Sequence, residues 1–262
     1  MKKFLVLGNP IEHSKSPQLH NYWIKQHNID AEYSKRLIIE KDIKETIKEL
    51  RDDKISGANI TIPFKNYIIP FVDELTETSK KVQSINTIYK IGKKIIGDNT
   101  DVTGFKKSLQ HINYNPKDKK AQILGAGGVV SSIIFSLQEM GASEIFLSNR
   151  TREKAENLKE MFKDLKIVNW GETTNFDIII NATSLGLKDS DSIKIDYENH
   201  KSKLFYDIIY NPTQTKFLKL GESNGNQTEN GRLMFVYQAQ LAFEIWHGIK
   251  PKIDNEVLRL IS

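Results

Sequence analysis

The stretch Ala121-Gln122-Ile123-Leu124-Gly125-Ala126-Gly127-Gly128 decides the fold of this 262-residue chain. Residues 121–124 have the composition of a buried strand, the glycines follow as a tight loop, and the spacing after Val129 is typical of a helix. Gly125 permits a sharp turn, and Gly127 lets the backbone approach a pyrophosphate seated at the helix N-terminus. This succession indicates a Rossmann-type dinucleotide-binding domain.

The third glycine of this fingerprint is missing. Its position is occupied by Val130, whose bulk requires either a wider spacing of helix and strand or a modified turn. Taken alone, the loop is equally consistent with an ordinary strand-to-helix turn, so the nucleotide site depends on further signals.

The end of the next predicted strand supplies one of them. An NAD-binding domain places an Asp or Glu about 20 residues after the loop, for the ribose 2′-hydroxyl. Here the stretch Ser148-Asn149-Arg150-Thr151-Arg152 carries two arginines and no acid. Guanidinium groups bind phosphate through forked, charge-assisted contacts, whereas cations at a helix N-terminus oppose the helix dipole. The sequence therefore predicts NADP rather than NAD.

The rest of the chain has an α/β rhythm. In the first hundred residues, short β-type runs alternate with helical stretches, and strand-length apolar runs with intervening helices continue after Val102. We predict an α/β protein of two domains. The predicted strands are Phe4–Leu7, Glu32–Ile38, Ile60–Ile62, Thr87–Tyr89, Ala121–Leu124, Glu144–Ser148, Asp177–Ile180 and Leu204–Ile209, and the helices include Val129–Met140, Arg152–Phe162, Leu233–Ile245 and Glu256–Ile261.

Polar residues in the first half form a candidate site. In the run from Asn59 to Lys65 the alternation places Asn59 and Thr61 on one strand face, with the Lys65 cation just past the strand end. Asp101 adds a carboxylate at a strand-to-helix junction, where it is also a candidate helix cap. Ser16, followed by Pro17, has the pattern of an N-cap.

Composition excludes several classes of protein. The chain has no cysteine, so disulfide scaffolds, thiolate nucleophiles and Cys-ligated metals are excluded, and its six histidines are scattered, so we predict no metal. The formal charge of +5 suggests an anionic partner, but the lysine pairs are spread out and lack an aromatic platform, which argues against nucleic acid. We predict neither a signal peptide nor a membrane span, and hence a cytoplasmic protein. The oligomeric state, monomer or homodimer, stays open.

Several motifs in this order resemble the shikimate dehydrogenase family. The matching elements span the chain and are Gly8-Asn9-Pro10, Ser14-Lys15-Ser16-Pro17, Asn59 to Lys65, Ser84-Ile85-Asn86-Thr87, Gly97 to Gly104, Gly125-Ala126-Gly127-Gly128, Asn149-Arg150-Thr151, Asn181 to Gly186, Asp207 to Pro212, and Asn230-Gly231 to Gln238.

The resemblance implies NADPH-dependent, reversible reduction of 3-dehydroshikimate to shikimate by Lys65 and Asp101, in a cleft between a substrate domain (1–101 with 236–262) and an NADP domain (102–235). It implies substrate contacts from Ser14, Ser16, Asn59, Thr61, Asn86, Tyr210 and Gln238. It implies cofactor contacts from Glu77, Gly125, Ala126, Gly127, Gly128, Val129, Asn149, Arg150, Thr151, Arg152, Lys154, Thr183, Ile208 and Gly231.

Two alternatives remain open at this stage. One is a quinate/shikimate dehydrogenase that uses NAD, which an acid at the end of the second Rossmann strand would favour. The other is a non-catalytic member that binds nucleotide as a sensor, against which the presence of Lys65 and Asp101 argues.

Overall fold

The computed structural model describes residues 1–188, 190–193 and 200–261. The chain divides into two compact units, which we call unit 1 (residues 1–104 and 236–261) and unit 2 (residues 105–235). Ser262, at the end of the predicted first domain, lies outside the described residues. Each unit has its own six-stranded sheet.

The secondary structure alternates strands and helices. In chain order, the strands are β1 (Lys2–Gly8), β2 (Ala31–Leu37), β3 (Gly57–Ile60), β4 (Glu74–Leu75), β5 (Thr87–Ile91), β6 (Lys94–Asp98), β7 (Lys120–Leu124), β8 (Glu144–Ser148), β9 (Lys166–Ile167), β10 (Ile178–Asn181), β11 (Leu204–Asp207) and β12 (Gln227–Glu229). The helices are α1 (Ser16–Gln26), α2 (Ile43–Arg51), α3 (Glu77–Val82), α4 (Asp101–His111), α5 (Val130–Glu139), α6 (Arg152–Met161), α7 (Lys216–Ser223), α8 (Arg232–His247) and α9 (Asn255–Leu260).

The sheet of unit 1 has the strand order β2-β1-β3-β5-β6-β4, and β5 runs antiparallel to both of its neighbours. Side chains alternate between its faces. Leu5 and Leu7 of β1 pack in a cluster with Ile47 of α2, whereas Phe4 lies against Trp246 of α8 at 4.9 Å between ring centroids. Apolar helices therefore cover both faces, which buries the middle of the sheet.

The sheet of unit 2 is parallel throughout, in the order β12-β11-β10-β7-β8-β9. This is the strand order of a doubly wound nucleotide-binding fold, with β7 as its first strand. Ile123 packs in one core cluster with Ile133 of α5, and Leu124 packs in another with Phe217 of α7. The predicted Rossmann-type sheet is confirmed, and its strands are buried on both faces as parallel strands require.

The predicted strand Ile60–Ile62 is wrong. Strand β3 ends at Ile60, and the chain then turns, with the amide of Phe64 donating to the carbonyl of Thr61 at 2.9 Å. Ile62 is exposed instead of facing a core. The alternating polar and apolar residues from Asn59 onward are thus a strand end followed by a turn, which gives the same short pattern.

Within the three described stretches, no helix is both long enough and apolar enough to cross a membrane. No group of three or more His, Asp or Glu side chains in those stretches is arranged to hold a metal ion.

Candidate active site

A buried ion pair lies at the centre of the polar residues of unit 1. Lys65 follows the turn after β3, and Asp101 is the first residue of α4. The lysine Nζ lies 2.5 Å from the carboxylate Oδ2, and the two side chains are 11% and 7% exposed. Burial makes such a pair interdependent, since removing either partner leaves an uncompensated charge.

Asn86 connects this pair to the neighbouring polar side chains. Its Nδ2 donates to Asp101 Oδ1 at 3.0 Å and to Thr100 Oγ1 at 2.9 Å, and it lies 3.4 Å from Gln238 Oε1. Its Oδ1 accepts from the Thr100 amide at 2.7 Å. Gln238 belongs to the part of α8 that completes unit 1. One network therefore joins residues that are more than 100 positions apart in sequence.

Asn59 extends the network along β3. Its Nδ2 donates to the Asn86 carbonyl at 3.1 Å and to Thr87 Oγ1 at 3.0 Å. Its Oδ1 accepts from the hydroxyl of Tyr33 at 2.7 Å. Because a primary amide has two N–H donors, both donors of Asn59 are used. Among the described residues Oδ1 accepts from Tyr33 alone, so its second lone pair is available to a ligand.

Ser14 and Ser16 lie beside this network at the start of α1. The amide of Ser16 lies 3.3 Å from Ser14 Oγ, and the Ser16 side chain lies near the Tyr33 phenol, where it opposes the rise in pKa that burial causes. The prediction that Ser16 is an N-cap is wrong, because Lys15 occupies that position and Ser16 is already helical. The Ser16 hydroxyl lies near the Tyr33 phenol instead.

Asp101 and Thr61 also differ from expectation. The carboxylate of Asp101 is used by Lys65 and Asn86, and the amide of Val102 donates to Asn99 Oδ1 at 3.2 Å. Thr61, half-buried, lies beyond the strand that it was predicted to share with Asn59, and its methyl group lies against the glycine at position 8.

These side chains suit a polar ligand with one reacting oxygen. A buried ammonium stabilises negative charge that develops on an oxygen atom and offers it a proton. The surrounding amides and hydroxyls both donate and accept hydrogen bonds, which matches a ligand rich in hydroxyl groups. Sequence reasoning missed Tyr33, Thr87 and Thr100 as members of the network, although Thr87 and Thr100 lie inside motifs that it had singled out.

The glycine loop of unit 2 fits a nucleotide phosphate. Gly125 has a φ of +106°, and a Cβ there would lie 2.8 Å from the Ala182 carbonyl. A Cβ on Gly127 would meet nothing within 4 Å, so space is open above the backbone at that point. Val130 is the first residue of α5 and is fully buried, with its amide bonded to the Gly127 carbonyl at 2.9 Å. The bulk of Val130, which replaces the third glycine, is thus accommodated in the core of unit 2.

The two arginines after β8 have different surroundings. Arg150 is exposed, and within the described residues it forms no hydrogen bond or ion pair. Arg152, 62% exposed, pairs with Glu156 on its own helix at 3.2 Å and donates to Asn169 Oδ1 at 3.2 Å. The side chain of Asn149 donates to the Thr151 carbonyl at 2.7 Å, which fixes the loop before α6. Both cations are open to an anionic ligand, and Lys154, also exposed, lies one turn further along.

Asp207 holds the remaining loops of unit 2 together. Its carboxylate accepts from Asn181 Nδ2 at 3.1 Å, the Ile209 amide at 3.0 Å and Thr215 Oγ1 at 2.6 Å. Burial raises the pKa of Asp207 to about 6, and the three hydrogen bonds act in the opposite direction. Thr183 donates to Asn181 at 2.7 Å and so joins the same cluster. Sequence reasoning had quoted Asp207 only as part of a motif.

Gly231 and Ile208 are in close backbone contact. A Cβ on Gly231 would lie 1.9 Å from the Ile208 carbonyl oxygen, so only glycine fits there. Tyr210, which follows in the same segment of unit 2, is stacked on Phe235 at 4.6 Å. Glu77 begins α3 in unit 1, where its exposed carboxylate pairs with Lys80 at 2.7 Å.

Three family models match the chain. They are the shikimate dehydrogenase substrate binding domain over residues 6–88, shikimate / quinate 5-dehydrogenase over residues 107–215, and the shikimate 5′-dehydrogenase C-terminal domain over residues 231–255.

Individual relatives match over almost their whole length. The shikimate dehydrogenase (NADP+) of Pelagibacter ubique is 56% identical over 262 residues, which is 100% of this chain and 99% of the relative. A crystal structure of a shikimate dehydrogenase in complex with NADP+ has a TM-score of 0.93 and 32% identity, covering 100% of this chain and 94% of the other. The enzyme of Thermus thermophilus in complex with NADP(H) and shikimate has a TM-score of 0.90 and 29% identity, covering 100% and 98%.

Proposed function

Because the chain belongs to the shikimate dehydrogenase family, we propose that the polar network of unit 1 binds the substrate and that the glycine loop and arginines of unit 2 bind NADP. The protein catalyses the reversible, NADPH-dependent reduction of 3-dehydroshikimate to shikimate, a step toward the aromatic amino acids. The observation that carries the assignment of the site is the buried pair of Lys65 and Asp101.

Bound NADPH supplies the hydride. The reduction leaves negative charge on the carbonyl oxygen, and Lys65 is the cation that we place beside it, where the ammonium stabilises the charge and donates a proton. Asp101 orients that ammonium through the 2.5 Å contact, and Asn86 fixes the carboxylate in turn.

The remaining polar side chains match the chemistry of the substrate. Shikimate carries one carboxylate and three hydroxyls, and we assign the carboxylate to Ser14 and Ser16. We assign the contacts with the hydroxyls and the ring to Asn59, Thr61, Asn86, Tyr210 and Gln238. The free lone pair of Asn59 Oδ1 supports a contact in which a substrate hydroxyl donates to it.

The cofactor contacts follow from the open loop and the exposed cations of unit 2. We propose that the backbone from Gly125 to Val129 holds the pyrophosphate, since space is open over Gly127. Arg150 and Arg152 are placed at the 2′-phosphate, with Asn149, Thr151 and Lys154 around them. We place Thr183, Ile208 and Gly231 near the nicotinamide, and the role of Glu77 stays a prediction. As an NADPH-consuming biosynthetic enzyme, the protein is proposed to work in the cytoplasm, which cell fractionation tests.

The test measures the consumption of NADPH, and in parallel of NADH, by purified protein with 3-dehydroshikimate. The reverse oxidation is measured with NADP+ and either shikimate or quinate. We expect the reduction of 3-dehydroshikimate to be faster with NADPH than with NADH, and the reverse oxidation by NADP+ to be faster with shikimate than with quinate. Lys65→Met should lower kcat by about 10²–10⁴-fold. Lys90→Met is the matched control, because Lys90 is a partly buried lysine of unit 1 that pairs with Asp53, outside the network. No turnover by the wild type, or a strong NAD preference, overturns the proposal.

A further inference from the structure

Tyr33 contacts the proposed substrate site, although the function above gives it no role. It lies on β2, and its side chain is 2% exposed. Its hydroxyl donates to Asn59 Oδ1 at 2.7 Å, and the nearby Ser16 side chain opposes the rise in its pKa that burial causes. One buried oxygen atom therefore joins a residue of α1 to a residue of β3.

The ring and backbone of Tyr33 are themselves held in place. Asn21 accepts from the Tyr33 amide at 2.9 Å and donates to its carbonyl at 2.7 Å, so both backbone groups are tied to one side chain. The phenol ring is stacked on His20, at 4.2 Å between centroids and 4° between planes. A hydroxyl on so fixed a ring has little freedom to move.

The stack works as an apolar contact. Burial lowers the pKa of His20 to about 3, so the imidazole is neutral at physiological pH, and within the described residues neither of its nitrogens has a hydrogen-bond partner. Burial also raises the pKa of Tyr33 well above its ordinary value, and the phenol therefore stays protonated as a donor.

The orientation of the Asn59 amide depends on this donor. With its two N–H groups directed at the Asn86 carbonyl and Thr87, the amide presents Oδ1 to Tyr33. The same oxygen carries the lone pair that we assign to a substrate hydroxyl. Loss of the phenol would leave that acceptor with one partner fewer and free the Ser16 hydroxyl to rotate.

We propose that Tyr33 is a positioning residue for the substrate, whose buried hydroxyl sets the distance between the carboxylate contact at Ser16 and the hydroxyl contact at Asn59. The proposal depends on the proposed function, because it uses the substrate contacts assigned there. Tyr33 itself does not touch the reacting atoms.

The test is Tyr33→Phe, which removes one oxygen atom and keeps the ring stacked on His20. We expect KM for shikimate to rise about tenfold, with KM for NADP+ unchanged and kcat altered less than KM. A merely structural role would change both Michaelis constants and the melting temperature together. In a cycle with Ser16→Ala, the two effects on KM should be less than additive, because Tyr33 acts through that serine.

Tyr206→Phe is the matched control. Its hydroxyl is also buried and lies 2.8 Å from Ser108 Oγ, but in unit 2, so KM for shikimate should stay at the wild-type value. An unchanged KM for shikimate in Tyr33→Phe, or an equal rise in both tyrosine variants, overturns the proposal. Wild-type turnover of shikimate with NADP+ reports separately on the proposed function, so the two failures are distinguishable. If Tyr33→Phe does not fold, full additivity between Ser16→Ala and Asn59→Ala in KM overturns the proposal.

Discussion

The proposed substrate network of unit 1 and the proposed cofactor region of unit 2 are built in opposite ways. In unit 1, buried side chains satisfy one another, and Asn59 and Asn86 each bond several neighbours. In unit 2, the predicted contacts are backbone shape at Gly125 and Gly127 and cations exposed to solvent. The substrate site should therefore depend on the identity of each side chain, and the cofactor site on free space and charge.

Asp101→Asn is the substitution for which we expect the largest effect. An amide is nearly the size of the carboxylate but no longer pairs with the Lys65 ammonium, so kcat should fall about 10²–10³-fold. The melting temperature should fall as well, because the buried ammonium loses its counter-charge. Steady-state rates and thermal melting measure the two quantities. Asp73→Asn is the control, since Asp73 is a partly exposed partner of Arg51. A kcat within threefold of wild type would contradict the expectation that the network depends on the identity of each side chain.

Asp207 tests whether a single buried side chain also matters in unit 2, here through its contribution to the free energy of unfolding. Because its folded pKa of about 6 exceeds the ordinary 3.8, its contribution to stability is fully present below about pH 4. The contribution is lost as pH rises through 6, by at most about 3 kcal/mol.

Urea unfolding at several pH values, followed by tryptophan fluorescence, measures this change. The difference in unfolding free energy between wild type and Asp207→Asn should therefore change between pH 4 and 6, as the contribution of Asp207 is lost from the wild type alone. Glu229, whose pKa burial raises to about 7, titrates in both proteins and cancels. Parallel plots of unfolding free energy against pH for the variant and the wild type would contradict the raised pKa of Asp207.

Arg150→Ala and Arg152→Ala test the role of exposed charge. Each should lower kcat/KM for NADP about tenfold and leave that for NAD unchanged, because only NADP carries the 2′-phosphate. Kinetics with both cofactors at two salt concentrations measure the effect. Lys163→Ala removes an equally exposed cation of unit 2 that pairs with Glu160, and it should change neither value. Equal losses with both cofactors would remove the arginines from the phosphate site.

Gly127→Ala should give the smallest effect. The added methyl group meets no protein atom within 4 Å, so the melting temperature should hold while KM for NADP rises severalfold, by an order of about 1 kcal/mol. Gly125→Ala is the contrast, because its φ of +106° and the Ala182 carbonyl oppose a side chain, and it should lower the melting temperature. An unchanged KM in Gly127→Ala would show that the open space is not where the phosphate lies.

The sequence predicted regular features well because they are local. The long buried strands of unit 2 and the helices between them have a periodicity that a short window detects. Strands β4, β9 and β12 have two or three residues each, too few for any pattern, and they were missed. Lys65 and Asp101 are 36 residues apart, and no spacing rule joins them; the family resemblance did.

Other properties of the site arise only from burial. Asp207 looks like any acid after a strand until its surroundings raise its pKa. Tyr33 looks like an ordinary strand residue, and its partner Asn59 lies 26 positions further along the chain. Single-sequence patterns carry no signal for such pairings, because the chain between them is folded by other contacts.

Unit 1 is assembled from two separate stretches of chain, whereas the sheet of unit 2 is built from one uninterrupted segment, residues 105–235. Phe4 and Gly57 lie against Trp246, and Asn86 lies 3.4 Å from Gln238. A break in the chain near residue 235 would therefore leave the sheet of unit 2 continuous. The same break would detach Gln238 and Trp246 from the rest of unit 1, so the proposed substrate network depends on the intact chain.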